Sequence, residues 1–315
     1  MSIIERAIQK LDPKASVETR NTPLKETSVA ATVEKKLAPN EEQKQYKGVA
    51  DAKVTPALAD SIIHIPLARL SALGMVTPNA PRTPIAEEYR AIKRPLLLNI
   101  EGEGAAQVEH ANLVMVASAL SGEGKTFSAI NLAMSIAMEQ DKSVLFVDAD
   151  VSKAAAGELL GVPDEAPGLI DLLENKGIKF KDVVLKSNIP NLRILPAGNL
   201  HQRSTELLAS ENMRSLMLEI SRRYSDRVIV FDSPPLLLTT EARVLSNFMG
   251  QIAFIVAAEQ TSQEAVVEAL QHLSSDSIVG MVLNKSQRQT AGGYGYGYGY
   301  GYGGRQGENQ TVAVK

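Results

Sequence analysis

Hydrophobic residues from residue 113 onward fall into five short continuous runs, separated by longer stretches in which apolar positions recur with a helical period. Continuous apolar runs of this length are typical of strands buried on both faces of a sheet. Strands that alternate with helices predict an α/β fold with a mostly parallel central sheet, right-handed crossovers and helices on both faces. The predicted strands are 113–118, 143–148, 227–232, 251–258 and 278–284, and the predicted helices are 126–139, 205–222, 239–249 and 261–273.

The first 84 residues have a different pattern, because they contain eight of the fifteen prolines and only two glycines. Such a composition buries too little apolar surface to offset chain entropy, so we expect residues 1–81 to be mostly disordered. The start of the chain is the exception, since its apolar residues recur at helical spacing and predict a short amphipathic helix over residues 2–11. This helix either docks on a partner or frays as a chain end. Its apolar residues are Ile3, Ile4, Ala7, Ile8 and Leu11.

The end of the chain differs again, because residues 292–304 read GGYGYGYGYGYGG. Glycine at every second position predicts a flexible tail over residues 291–315 that presents tyrosines to solvent. A low-complexity segment in which tyrosine acts as a sticky residue is the alternative. The folded domain is then expected over residues 82–290. The tyrosines of the tail are Tyr294, Tyr296, Tyr298, Tyr300 and Tyr302.

Charge and composition exclude several classes of protein. The formal net charge is −3, so there is no basic field that would attract nucleic acid or anionic lipid. The absence of cysteine excludes disulfide frameworks, thiolate zinc sites and cysteine catalysis. No apolar run approaches the roughly 18 residues of a membrane helix, and the first residues lack a signal-peptide pattern. We therefore expect a soluble cytoplasmic protein whose membrane role would come through a partner.

The segment Ala119–Thr126, between the first predicted strand and the helix after it, reads ALSGEGKT. It matches the phosphate-binding pattern G-x-x-x-x-G-K-[ST], except that Ala119 replaces the first glycine. Glycines in this pattern let backbone N–H groups curl around phosphate oxygens, and the following helix adds its dipole. Lys125 would contact the β- and γ-phosphates and Thr126 would ligate Mg²⁺, so we expect ATP and Mg²⁺ as cofactors.

A glycine-rich turn that binds no nucleotide is the alternative interpretation of this segment. Asn284, at the end of the last predicted strand, is a candidate for adenine recognition or a simple turn residue. The predicted ATP-binding residues are Ser121, Gly122, Glu123, Gly124, Lys125, Thr126, Phe127 and Asn284.

Three aspartates follow buried strands at the edge where ligands of such sheets bind. Asp232 ends one strand and is expected to help hold Mg²⁺. Asp148 and Asp150 end another strand, two residues apart, and are expected to point into the same cleft. A second carboxylate suits a kinase, because it can bind the metal or take the proton of an attacking hydroxyl. The alternative for this pair is a helix N-cap and a surface acid. The predicted catalytic residues are Lys125, Asp148, Asp150 and Asp232, and the predicted metal ligands are Thr126 and the same aspartates.

These motifs together resemble the bacterial tyrosine kinases, P-loop enzymes associated with exopolysaccharide synthesis. The three nucleotide motifs of that family match Ala119–Thr126, Val144–Asp150 and Val228–Pro235, and a tyrosine cluster follows them as in the family. The opening MSIIERAIQKL resembles the subgroup that accompanies exosortase-type polysaccharide loci.

A further element of the resemblance lies upstream, where residues 85–94 read IAEEYRAIKR. This segment resembles the Glu-x-x-Arg-x-x-Arg element with which these kinases assemble into rings, which implies oligomerisation through Glu87, Arg90 and Lys93. The chain departs from the family pattern at that last position, and also at Ser152 and Ala154, where the family usually has arginine and proline.

The resemblance implies an ATP-dependent protein-tyrosine autokinase that regulates exopolysaccharide synthesis or export and phosphorylates its own tail tyrosines, between subunits of a ring-like homo-oligomer. It also implies a separate membrane partner, a chain-length determinant or polysaccharide co-polymerase, that recruits the cytoplasmic kinase to the inner face of the membrane. Two alternatives remain at this point. One is a partitioning or positioning ATPase of the deviant P-loop class, which carries a signature lysine where this chain has Leu120. The other is a nucleotide-gated adaptor without catalysis.

Overall fold

The computed structural model describes residues 62–104, 107–174, 177–199 and 201–286. The predicted helix over residues 2–11 and the tail with its five tyrosines lie outside the described residues. Within the described ranges, no helix is long and apolar enough to cross a bilayer.

The centre of the structure is an eight-stranded sheet with the strand order β1-β4-β5-β3-β6-β2-β7-β8. All neighbouring strands are parallel except β4 and β5, which are antiparallel. This arrangement confirms the predicted α/β fold with a mostly parallel sheet. The strands are β1 Ile62–Ile63, β2 Leu113–Ser118, β3 Ser143–Asp148, β4 Leu185–Ser187, β5 Leu192–Leu195, β6 Arg227–Asp232, β7 Gln251–Ala257 and β8 Ile278–Asn284.

Ten helices connect and cover these strands in the described part of the chain. The predicted helix 205–222 is divided in two, because the hydroxyl of Ser210 accepts a hydrogen bond from the backbone N–H of Met213 and caps the second piece. The helices are α1 Leu67–Ala72, α2 Pro84–Glu101, α3 Lys125–Ala137, α4 Ala155–Leu160, α5 Leu169–Glu174, α6 Phe180–Val183, α7 Ser204–Leu208, α8 Glu211–Arg223, α9 Thr240–Ser246 and α10 Gln263–Leu270.

The core consists of two hydrophobic clusters, one on each face of the sheet. Successive residues of β2 alternate between them, so that Val114 and Val116 join the cluster under α2 and α3, while Met115 joins the cluster under α8 and α9. Because both faces are covered, the central strands are apolar at nearly every position. Polar side chains are therefore found at the carboxyl ends of these strands, which the helices do not cover.

The fold begins before the predicted boundary at residue 82, which is a correction to the sequence analysis. β1 pairs with β4, and the segment after it contributes buried side chains to the cluster that contains Val114. The backbone N–H of Val76 also donates to Oδ1 of Asn131 on α3, at 2.6 Å. The composition of the first 84 residues hid this short apolar segment because the segment was averaged together with the proline-rich residues on either side of it. Its buried residues are Ile63, Ile65, Leu70, Met75 and Val76.

Candidate active site

A tight loop joins β2 to α3 at the carboxyl edge of the sheet. Gly122 and Gly124 adopt φ angles of 82° and 97°, in the left-handed region that other residues rarely enter. Any side chain at Gly124 would also collide with the amide group of Asn284. The loop conformation therefore requires glycine at these two positions, as a backbone that wraps around phosphate does.

Lys125, the first residue of α3, has a buried side chain that folds back across this loop. Its Nζ donates to Oγ of Ser118 at 3.0 Å and to the carbonyl oxygen of Leu120 at 3.2 Å. Burial lowers the pKa of Lys125, and the negative charges of Asp232 and Asp150 oppose that shift. The ammonium group thus lies in the field of two of the predicted aspartates.

Asp148 and Asp232 lie side by side, because they are paired residues at the ends of the neighbouring strands β3 and β6. Each is about 1% exposed, and none of their carboxylate oxygens makes a well-formed hydrogen bond to a described residue. Buried polar groups in proteins nearly always have partners, so this pair is exceptional. Two carboxylates without partners, at the strand ends next to a phosphate-type loop, suit the binding of a cation.

The pKa values of both carboxyl groups are displaced upward. Burial raises the pKa of Asp148 to about 7, with a further contribution from the charge of Asp150, while nearby backbone N–H groups oppose the rise. Burial also raises the pKa of Asp232 well above its usual value, and the charge of Asp148 adds to this shift. The Thr126 hydroxyl opposes it, so Thr126 lies close to Asp232.

Asp150 is also buried and accepts a hydrogen bond from Oγ of Ser152 at 2.7 Å. The residue at the N-cap of α4 is Ala154, which provides no side-chain cap. The alternative of an N-cap and a surface acid is therefore excluded. The neighbouring Lys153 reaches the loop, where its Nζ donates to Oγ of Ser121 at 2.9 Å. Ser121 is exposed, so this contact lies on the surface of the loop.

The residues at this edge fit a nucleotide with a hard cation. A glycine-rich loop, the ammonium group of Lys125, the hydroxyl of Thr126 and unpartnered carboxylates are the groups that triphosphate and Mg²⁺ require. Among the residues described, no set of three or more acidic or histidine side chains is close enough to hold a metal ion together. The predicted metal ligands are therefore not gathered into a protein-only cage. Mg²⁺ usually keeps several water and phosphate ligands, and one or two carboxylates suffice.

Two other predicted residues have more specific positions than the sequence indicated. Phe127 packs against the hydrophobic cluster under α2 and α3. Asn284, at the end of β8, donates from Nδ2 to the carbonyl oxygen of Glu123 at 2.8 Å. Asn284 therefore contacts the phosphate-type loop directly.

The predicted oligomerisation element lies on α2, and the structure separates its three residues. Glu87 and Arg90 form an ion pair on the surface of the helix. Lys93 is buried, and its Nζ donates to the carbonyl oxygen of Ser135 at 2.5 Å and pairs with Glu139 at 2.6 Å. The expectation that Lys93 faces another subunit therefore needs correction, because its charge is used within the chain.

Besides Lys153, two residues that were not predicted as site residues contact the loop. Thr261, after β7, donates from its hydroxyl to Glu123. Lys285, after β8, donates to the carbonyl oxygen of Gly122 at 2.7 Å. Both follow parallel strands, β7 in the buried part of the sheet and β8 at its exposed edge, so the rule that ligand sites lie at carboxyl strand ends could have selected them. Nothing in their residue types distinguishes them from ordinary turn residues.

Comparison with known proteins identifies the family of this fold. Residues 111–273, just over half of the chain, match the family model described as AAA domain. The chain belongs to the AAA domain family. The matched range of this AAA domain contains the phosphate-type loop and all three site aspartates.

The relatives of this AAA domain are bacterial tyrosine-protein kinases, which confirms the resemblance found in the sequence. Tyrosine-protein kinase YwqD of Bacillus subtilis (strain 168) is 29% identical over 206 residues, covering 65% of this chain and 82% of YwqD. Tyrosine-protein kinase wzc of Salmonella typhi is 31% identical over 183 residues, covering 58% of this chain but only 25% of wzc. The kinase domain of the Escherichia coli tyrosine kinase ETK superposes with a TM-score of 0.59 at 26% identity, covering 76% of this chain and 95% of that domain. The exosortase-associated subgroup stays a prediction.

Proposed function

We propose that this chain is an ATP-dependent protein-tyrosine autokinase whose phosphate acceptors are tyrosines of its own tail. The observation that carries the proposal is the buried Asp148 and Asp232 pair beside the loop that begins α3. The relatives YwqD and wzc, which are tyrosine-protein kinases, support the same activity. The acceptors would be Tyr294, Tyr296, Tyr298, Tyr300 and Tyr302.

In this proposal the triphosphate of ATP binds the backbone N–H groups of the loop between β2 and α3. The ammonium group of Lys125 leaves its contacts with Ser118 and Leu120 and neutralises charge on the β- and γ-phosphates. Thr126 and Asp232 would hold Mg²⁺, which neutralises phosphate charge when it is bound. Asp148 and Asp150 remain to act on the acceptor.

The transfer step moves one phosphoryl group from ATP to a tyrosine. The phenol oxygen attacks the γ-phosphorus, the bond from that phosphorus to the bridging oxygen of ADP breaks, and the phenol proton passes to Asp148 or Asp150. A free phenol has a pKa near 10, so it needs a base at neutral pH. A carboxylate whose pKa is about 7 is a better proton acceptor than an ordinary aspartate. The products are phosphotyrosine and ADP.

Assembly and location form the second part of the proposal. The chain would act in a ring-like homo-oligomer, with transfer between neighbouring subunits, and Glu87 and Arg90 would contribute to the contact. Each phosphotyrosine adds about −1.5 to −2 charges, so a phosphorylated tail would push subunits apart. A separate membrane chain-length determinant protein would recruit the cytoplasmic kinase to the membrane and link it to exopolysaccharide synthesis or export.

Mass spectrometry of the purified chain after incubation with ATP and Mg²⁺ tests the activity. Phosphate is expected on tail tyrosines in the wild type and is expected to be absent in Lys125→Met, which removes the ammonium group but keeps most of the length of the side chain. Lys181→Met, at an exposed lysine of α6, is the matched control and should be phosphorylated normally. An unmodified tail in protein that hydrolyses ATP would favour the partitioning ATPase, and an unmodified tail without hydrolysis would favour the adaptor.

A further inference from the structure

Glu123 is the middle residue of the Gly-Glu-Gly run, and its carboxylate is occupied within the protein. The side chain is about 4% exposed, and Oε2 accepts a hydrogen bond from the backbone N–H of Leu120 at 2.5 Å. Oε1 accepts from the hydroxyl of Thr261. A buried carboxylate that carries the same sign as a triphosphate, and whose oxygens already have donors, has no role as a phosphate ligand. Its contacts instead connect the loop to the turn after β7.

Thr261 connects two parts of the chain through one hydroxyl group. Its Oγ1 donates to Glu123 and accepts from the backbone N–H of Ala257 at 3.1 Å, where β7 ends. The hydroxyl thus fixes the loop against the carboxyl end of a central strand. Valine has the same shape but would leave Glu123 with one donor fewer in a buried position.

The end of β8 holds two successive carbonyl groups of the same loop. Nδ2 of Asn284 donates to the carbonyl of Glu123, and Nζ of Lys285 donates to the carbonyl of Gly122. Lys285 also donates to Oε1 of Gln260 at 3.0 Å, in the turn after β7. In a trans peptide the C=O and the N–H point in opposite directions, so each held carbonyl turns the next N–H away from β8. These N–H groups are the ones that a phosphate would use.

We propose that Thr261, Asn284 and Lys285 are positioning residues that orient the phosphate-binding N–H groups. Thr261 acts through the carboxylate of Glu123, and Asn284 and Lys285 act through the carbonyl groups of Glu123 and Gly122. We call these three residues with Glu123 the loop brace. The proposal rests on the nucleotide site proposed above and adds residues outside the motif that set its affinity. A preorganised loop binds more tightly because it loses less conformational freedom on binding. The brace therefore acts on nucleotide affinity more than on the transfer step.

The test measures binding of N-methylanthraniloyl-ADP with Mg²⁺ by fluorescence titration of the full chain. Thr261→Val is expected to raise the dissociation constant roughly tenfold, because a buried charged group loses a donor. Thr261→Ser keeps the hydroxyl and should restore affinity to within about twofold of the wild type. Thr240→Val, at an exposed threonine of α9, is the matched control. In tail phosphorylation, the change should fall on KM for ATP more than on kcat.

A second variant covers the case in which Thr261→Val fails to fold. Lys285 is exposed, so Lys285→Met leaves the core intact and should still raise the dissociation constant about threefold. Unchanged affinity in folded Thr261→Val, or in Lys285→Met if the first is unfolded, would overturn the brace. A loss of kcat at unchanged affinity would overturn it as well. Wild-type protein that binds nucleotide without phosphorylating tyrosine would overturn only the kinase, whereas wild type that binds no nucleotide would overturn both.

Discussion

Asp148 shows how a single residue can be costly to the free protein and useful to its ligand. Burial disfavours its charged form, and no described group makes a good hydrogen bond to its oxygens. A cation or a proton at this position removes the cost. The same residue is therefore a source of instability above neutral pH and a source of binding energy for a positively charged ligand.

Asp148→Asn is expected to stabilise the free protein in a pH-dependent manner. The pKa of Asp148 is raised from 3.8 to about 7, so between these values the folded chain keeps a proton that the unfolded chain has released. Folding becomes less favourable as pH rises through this window. At pH 8 the substitution should raise the free energy of unfolding by roughly 2 to 4 kcal/mol, and the gain should shrink at pH 4.5.

Urea denaturation of both proteins without nucleotide at pH 4.5 and pH 8 measures this difference. Asp141→Asn, at an exposed aspartate after α3, is the control and should change little at either pH. A gain from Asp148→Asn of equal size at both pH values would contradict the assigned cause.

Helix α2 carries a sequence signal for assembly, yet one face of it belongs to the core. Thr83 caps its start by accepting a hydrogen bond from the N–H of Ala86, and Gly102 ends it in the left-handed conformation. The helix packs on α3, and Lys93 reaches across to Ser135 and Glu139. The hydrogen bond from Lys93 is the main reason that the pKa of Glu139 is lowered. Lys93 is buried because it lies on the same face of α2 as Tyr89 and Leu96, which packs against the core.

Lys93→Met should lower the free energy of unfolding by about 1 to 2 kcal/mol, because it removes a buried hydrogen bond and an ion pair whose acidic partner is half-exposed. Arg94→Met, at the next and exposed residue of α2, is the control and should cost less than about 0.5 kcal/mol. Equal losses in urea denaturation of the two variants would mean that the contact with Glu139 contributes nothing.

The folded domain extends further towards the N-terminus than the nucleotide motifs indicate. The segment before α2 adds an edge strand to the sheet and buried side chains to one of the two hydrophobic clusters. β1 lies at one edge of the sheet and β8 at the other. The segment between β1 and α2 covers part of the face under α3, where Leu70 is fully buried. Residues upstream of the kinase-like motifs therefore contribute to the stability of the domain that carries them.

Leu70→Ala in the full chain should lower the free energy of unfolding by about 2 to 5 kcal/mol, because it leaves a cavity in the cluster. Leu73→Ala removes the same atoms from a side chain that is 52% exposed, and should cost less than about 1 kcal/mol. Chemical denaturation measures both. Similar small losses would show that the segment does not pack as described.

Five strands and the loop between β2 and α3 were predictable, because each depends on neighbours in sequence. Continuous apolar runs predicted all five strands, and four of them are buried as expected, but β8 lies at the edge of the sheet and most of its side chains are exposed. Gly-Glu-Gly-Lys-Thr after an apolar strand predicts a phosphate-type loop without any tertiary information. The aspartates at the ends of β3 and β6 were found in the same way, but their pairing depends on β3 and β6 being neighbours in the sheet, which the structure shows. Strands β4 and β5 were missed because three or four residues hold too little pattern to distinguish a strand from a turn.

The remaining features depend on which distant segments meet. Thr261 donates to Glu123 across 138 positions of the chain, and no local pattern marks either residue as a partner of the other. Lys93 matches a motif for surface contact, and only its packing against α3 reveals that its charge is neutralised inside. A sequence motif depends only on residues that are consecutive in the chain. The burial of a side chain and its hydrogen-bond partners are decided when the sheet brings separate strand ends together. For that reason the phosphate-type loop could be predicted from the sequence, whereas the contacts of the loop brace that orient it could not.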